Sequence, residues 1–319
     1  MRQLGIYMWA VDNCYPAHSF ALNQFQHVSH QPSKQHHLQL HRAHACLYQH
    51  RHAGITFHGP RSPFWRTPAH VGRSTNNSIT TDSAITNATP IGHGAKNSAS
   101  YTMPTPTQLM QQTITQDSNF SGNHAKERVQ VATYHQCCGA AWMWKTCRAK
   151  IYAKNTAEAE LIACSLAAEY AIYGRKALHE LRVTLDPSAC FGDNQAATTI
   201  CNRNHTSRKE RHMRVRADHI KGVVEDELVT FHDISSDTNC SDIGTKPIVN
   251  KDMWRYLGAI LHGKIRLGIP RSDFTSLELR VLMETSDFHH LRWRIRKSMA
   301  VDEMTNKVGG RKAPLAPTV

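Results

Sequence analysis

The spacing of apolar and polar positions changes several times along the chain, and each change marks an element. Residues 5–58 read as helix-rich, with Ala21, Leu22, Phe25 and Val28 at helical spacing and Pro16 and Pro32 as punctuation. Between 59 and 107 the composition shifts to Ser, Thr, Asn, Pro and Gly, and 75–89 is close to low complexity. Such a stretch buries too little apolar surface to offset the entropy of ordering it, so a disordered linker is expected.

A compact pattern follows over 108–262. Short β-like runs fall at 113–119, 129–135 and 140–147. A long helix comes next, with Asn155 as N-cap and Glu158 as its capping-box partner. Ile162, Leu166, Tyr170, Tyr173 and Ala177 mark one apolar face of it. A buried strand is expected at 188–192, a helix at 194–202 and another strand at 228–234. Two short helices fit 240–245 and 251–262. After 263 the chain turns basic and irregular, and 292–297 (Arg-Trp-Arg-Ile-Arg-Lys) forms a basic cluster that reads as a nucleic-acid or nuclear-import patch, or as a solvated face.

Charge narrows the partner. The net charge is +13 and the pI is about 9.5, which points to an anionic partner with nucleic acid first. Residues 1–126 contain no glutamate, and their only aspartates are Asp12, Asp82 and Asp117. Histidine is front-loaded, densest over 35–44. Among 22 histidines, ligand-like pairs arise by chance, and with no Cys-x-x-Cys beside them no zinc site is expected there. Nine cysteines without framework spacing fit a reducing compartment. No run of eighteen apolar residues exists, which excludes a spanning helix and a membrane partner of that kind. The N-terminus stays ambiguous: Arg2 precedes the apolar run from Leu4 to Val11, and Ser19-Phe20-Ala21 resembles a cleavage pattern, but 12–14 (Asp-Asn-Cys) interrupts early.

Four carboxylates carry the candidate chemistry. Asp117 lies in Asp-Ser-Asn-Phe-Ser-Gly, Glu160 in Thr-Ala-Glu-Ala-Glu-Leu-Ile-Ala, Asp193 in Gly-Asp-Asn-Gln-Ala-Ala, and Asp242 in Ser-Asp-Ile-Gly-Thr-Lys-Pro. Singly, Asp193 reads as a helix cap, Asp242 as a solvated first-turn residue and Asp117 as part of a turn. Phosphodiester hydrolysis needs an activated water, a stabilised leaving oxygen and neutralised phosphate charge, and two divalent ions held by clustered carboxylates supply all three.

These blocks, in this order, resemble the ribonuclease H domain of copia-type LTR retrotransposon Pol polyproteins. The family's Asp-Ala-Asp-Trp-Ala-Gly-like, Ser-Thr-Glu-Ala-Glu-Tyr-like, Asp-Asn-Gln-Ser-Ala and Ala-Asp-Ile-Leu-Thr-Lys-Pro blocks correspond to those around Asp117, Glu160, Asp193 and Asp242. Trp144 ahead of Lys145, Arg148 and Lys150 fits as well, and so do Arg211-His212-Met213 and 218–221 (Asp-His-Ile-Lys). Residues 1–58 resemble the segment joining the family's reverse transcriptase to this nuclease.

The resemblance implies an α/β fold: a ribonuclease H-like mixed five-stranded sheet with flanking helices over 108–262. It also implies Asp117, Glu160, Asp193 and Asp242 as catalytic metal ligands, two magnesium ions (manganese the alternative), and an RNA·DNA hybrid or other nucleic acid as partner. Glu158 is expected to cap rather than ligate, and His212 and His219 to pack. Phe120, Leu161 and Gly244 depart from the family's Trp, Tyr and Leu. No Tyr-x-Asp-Asp polymerase motif occurs, so the expectation is the tail of a Pol polyprotein, acting in cytoplasm or nucleus. The alternative is a non-catalytic relic redeployed as a secreted effector with a host protein partner, supported by the N-terminal run and by sequons at Asn87 and Asn204.

Overall fold

One mixed sheet organises the chain. Its strands are β1 (Thr113–Asn119), β2 (Gln130–Cys137), β3 (Ala140–Arg148), β4 (Ser188–Gly192) and β5 (Val229–Asp233), in the spatial order β3-β2-β1-β4-β5. The first three form an antiparallel meander, while β4 runs parallel to β1 and β5 parallel to β4. Meander, then parallel additions across β1, is the strand order of a ribonuclease H-like α/β fold, as expected. The computed structural model describes residues 2–58, 110–120, 128–183, 185–203 and 213–284. The expected linker at 59–107, the basic cluster at 292–297, Arg211 and His212 lie outside the described residues.

Helices cover both faces. On one face, α4 (Thr156–Glu180), α5 (Gln195–Asn202) and α6 (Arg214–Glu225) enclose Ile114, Cys190, Phe231, Leu161, Cys164 and Ile220. Asn155 caps α4 by accepting from the Glu158 amide at 2.9 Å. The Glu158 carboxylate reaches back to the Lys154 amide at 2.7 Å, one residue earlier than a standard capping box. The expected apolar face of α4 needs correction: Tyr173 is 73% exposed, and the buried line runs through Leu161, Cys164, Ala168, Ala171 and Leu178. Small residues let the helix lie close to the sheet, and that close packing outweighs the larger aromatics. The helix α6 was not expected, because its basic sequence hides a short apolar stripe of Ala217, Ile220 and Val223. His219, expected to pack, is exposed on it.

The other face carries α7 (Asp242–Thr245), α8 (Lys251–Leu261) and α9 (Ser276–Glu284). The irregular tail from 263 also needs correction. Ile265, Leu267, Leu279, Leu282 and Met283 are buried in the same cluster as Tyr134, Tyr256 and Ile260, so described residues up to 284 belong to the compact body. The N-terminal helices α1 (Arg2–Cys14), α2 (Ser19–Val28) and α3 (Lys34–Gln49), with a 3-10 turn at Pro16–His18, bury Leu4, Tyr7, Val11, Leu22 and Leu40 among themselves. They also dock on the sheet: the Ser19 and Tyr134 hydroxyls share a hydrogen bond, and Asn23 Nδ2 donates to the Thr146 carbonyl at 3.2 Å. No helix among the described residues is long and apolar enough to cross a membrane.

Gly244 explains one departure from the family pattern. A Cβ there would lie 2.6 Å from Ala132 Cβ and 2.6 Å from the Tyr134 hydroxyl. Helix propensity alone favours alanine over glycine by about 1 kcal/mol, yet α7 sits against β2 with no room for a methyl group. Gly244→Ala is therefore expected to destabilise the chain by about 1–3 kcal/mol, the usual cost of overpacking. A urea-unfolding midpoint unchanged or raised by the substitution would contradict this packing.

Candidate metal-dependent active site

The site forms where β1 and β4 run side by side and their carboxyl ends leave the sheet. The last parallel pair is Thr115 with Phe191, so two positions further on Asp117 and Asp193 are neighbours. Ligands in open α/β sheets gather at such carboxyl ends, where the connections depart in opposite directions. Gly192 permits the approach, since a Cβ there would lie 2.1 Å from Gln116 Nε2. Asp242 enters from the first turn of α7, which places the third carboxylate over the same end. One oxygen from each of Asp117, Asp193 and Asp242 lies within 4.8 Å of the others.

Alternation along β1 divides the supporting contacts. Thr115 and Asp117 face α7: Ser241 Oγ donates to Thr115 Oγ1 at 2.8 Å, and Thr245 Oγ1 donates to Asp117 Oδ2. Gln116 and Ser118 face α4, where Ser118 Oγ donates to Glu160 Oε1 at 2.8 Å. Glu160 thus borders the three aspartates from the α4 side and is not within the closest trio. Its Oε2, and Oδ1 of Asp242, are buried without a hydrogen-bond partner among the described residues. Buried carboxylate oxygens left bare cost several kcal/mol unless something cationic approaches.

Electrostatics record the same crowding. Burial pushes Asp117 well above the ordinary carboxylate range, and the nearby Glu160 and Asp242 charges push it further. Burial raises Glu160 to about 7, opposed by its Ser118 hydrogen bond. Burial also raises Asp242, opposed by Lys246, whose Nζ lies 2.8 Å from Asp242 Oδ2. Lys246, within the Thr-Lys-Pro block, had no role in the sequence reading. Its position four residues after Asp242, just past the end of a short helix, was the available signal.

The donor set fits a hard divalent cation: oxygen ligands only, excess negative charge, and buried carboxylate oxygens without a hydrogen-bond partner among the described residues. Asp117, Asp193 and Asp242 would hold such an ion, with Glu160 alongside. Without an ion the same crowding disfavours the charged forms of Asp117, Glu160 and Asp242.

No family model matches the chain. A stretch of 132 residues, 41% of this chain, is 25% identical to the retrovirus-related Pol polyprotein from transposon TNT 1-94 of Nicotiana tabacum, and spans 10% of that protein. The resemblance to copia-type Pol polyproteins read from the motifs thus extends to a curated relative. Among solved structures, the N-terminal ribonuclease H domain of Rv2228c from Mycobacterium tuberculosis matches 42% of this chain and 90% of its own, at 8% identity and a TM-score of 0.32. Ribonuclease H1 from Halobacterium salinarum matches 41% of this chain and 90% of its own, at 16% identity and a TM-score of 0.28. At scores of this size the strand order, rather than the superposition, carries the fold assignment.

Proposed function

We propose that the chain is a ribonuclease H-like nuclease that hydrolyses the RNA strand of RNA·DNA hybrids with magnesium or manganese. The observation that supports this reading best is the convergence of Asp117, Asp193 and Asp242, from three separate elements, to within 4.8 Å at the carboxyl end of β1. A bound divalent pair would activate the attacking water and neutralise charge on the phosphate and leaving oxygen. The chain's own residues do the rest. Thr245 and Ser118 hold the Asp117 and Glu160 carboxylates in fixed orientation by hydrogen bonds. Lys246 opposes the burial that raises Asp242 and adds positive charge at the rim, its side chain 43% exposed.

The net charge of +13 supplies long-range attraction for a polyanion. Recognition of a hybrid over DNA duplex would rest on shape and 2′-hydroxyls rather than on base sequence. The test is cleavage of a labelled RNA·DNA hybrid by the purified chain. Cleavage of the RNA strand with magnesium, and its arrest by chelator, is the expected result. A folded chain that leaves the hybrid intact with magnesium and with manganese would overturn the reading.

A further inference from the structure

The histidine-rich stretch at 35–44 forms no cluster of its own, and His37 and His41 stand exposed on α3. A different set converges. His18 ends the 3-10 turn before α2, Cys46 lies in the last turn of α3, and His50 caps that helix. One ligand atom from each lies within 4.8 Å of the other two. Cys46 and His50 are four apart, which sets them on one face, and the chain between His18 and α3 folds back to bring the third member alongside.

The surroundings are those of a site rather than of a solvated cluster. His18 is 6% exposed; its Nε2 has no hydrogen-bond partner among the described residues, and its Nδ1 shares a hydrogen bond with the Tyr7 hydroxyl at 3.3 Å. His50 Nδ1 donates to the Cys46 carbonyl at 2.8 Å and lies 3.7 Å from the Cys46 sulfur, which pins the ring against the thiol. Outer hydrogen bonds of this kind orient metal-bound imidazoles. The Trp254 ring closes one side, with its centroid 5.4 Å from that of His18 and 4.9 Å from that of His50. A cavity of about 250 Å³ lined by Tyr7, Ala17, His18, Ala43, Cys46 and Trp254 opens beside the cluster. It gives an ion a way in and a water room to complete the coordination. A buried imidazole nitrogen without a partner is costly to leave bare, and a metal bond removes that cost.

Two imidazoles and a thiol select a borderline-soft ion and not magnesium, which requires oxygen. We propose that His18, Cys46 and His50 form a zinc site, separate from the carboxylate cluster, that clips α3 to the turn preceding α2 and keeps its fourth position open toward the cavity. Tetrahedral zinc places neighbouring nitrogen and sulfur ligands about 3.3–3.6 Å apart, close to the 3.7 Å already found between Cys46 Sγ and His50 Nδ1.

Cobalt(II) titration of the metal-stripped full chain, with excess magnesium to occupy the carboxylates, tests this. One equivalent is expected to give intense tetrahedral d–d absorption and a near-ultraviolet thiolate-to-cobalt band, both lost on adding zinc. Cys46→Ser should remove the thiolate band, and His50→Gln should weaken cobalt binding by more than about 100-fold, beyond the range for losing an outer partner. Asp193→Asn should leave both features unchanged. Should either variant fail to fold, the wild-type chain still decides: zinc is expected to slow alkylation of Cys46, followed by peptide mapping, by more than tenfold. No thiolate band at stoichiometric cobalt, a band that survives Cys46→Ser, or equal Cys46 labelling with and without zinc would overturn the proposal.

Discussion

Asp193→Asn is expected to lower magnesium-dependent hybrid cleavage by about 1000-fold, the upper range for losing one preorganised electrostatic group. That corresponds to about 4 kcal/mol of transition-state stabilisation. The amide keeps the shape of the carboxylate but not its charge, and the site holds its cation by charge. Two further readouts separate this from a folding defect. Without metal the variant should be at least as stable as the parent, because one of three mutually repelling carboxylates has gone. With magnesium, the parent should gain about 2.7 kcal/mol of stability at a metal concentration one hundred times Kd, and the variant much less. Hybrid binding should survive, since lysine and arginine contacts to phosphate carry most of it. Equal cleavage by parent and variant would remove Asp193 from the active site.

Acid should unfold the chain steeply. His18, His135 and His262 are buried, and burial lowers each to about 3. Folded, they stay neutral; unfolded, each takes a proton below its ordinary value of about 6.5. The unfolded state therefore binds more protons as pH falls, and the contribution to stability is lost between about 6.5 and 3. Three such groups cost about 4 kcal/mol per pH unit. Glu160, raised to about 7, and Asp117, also raised, oppose them: folded, they keep protons that the unfolded chain releases above about 4.5.

In chelator the two trends should partly cancel from pH 6.5 to 4.5, and stability should collapse below 4.5. With magnesium bound the carboxylates stay ionised, the opposition disappears, and stability should fall throughout that window. Urea unfolding at a series of pH values, with and without magnesium, measures both slopes. A chelated chain whose stability changes by less than about 1 kcal/mol between pH 4.5 and 3.5 would contradict the burial of these histidines.

The sheet was legible in the sequence because its strands are short, bounded by polar turns, and set in motif blocks at fixed order. The aspartates were legible for the same reason, since Asp117 and Asp193 fall at strand ends that neighbour each other in a ribonuclease H-like sheet. What stayed hidden depends on packing distance. The buried line on α4 runs through alanine and cysteine, which hydrophobicity ranks below the tyrosines it leaves exposed. Gly244 looks like a weakness in a helix until Ala132 and Tyr134 are seen against it. Cys46 and His50 gave a four-residue spacing, but His18 joins them only through the fold-back of the N-terminal helices. Residues 263–284 read as irregular because Gly263, Gly268 and Pro270 interrupt any helical or strand spacing, yet five of them reach the core.

One cluster contains residues from Ala17 to Met283, with Ala53, Tyr134, Ile243 and Tyr256 between. Its two ends meet only after nearly all the described chain exists. At synthesis rates of about 5–20 residues per second, roughly 13–53 s separate the appearance of Ala17 from that of Met283. Until the strands up to Arg148 have been made the N-terminal helices have no sheet to cover, and until Met283 appears the layer that α8 and α9 add to this cluster is incomplete. Ribosome-bound chains should therefore carry exposed apolar surface for most of their synthesis, and a chaperone that shields such surface should raise the yield of folded protein more than slower translation does.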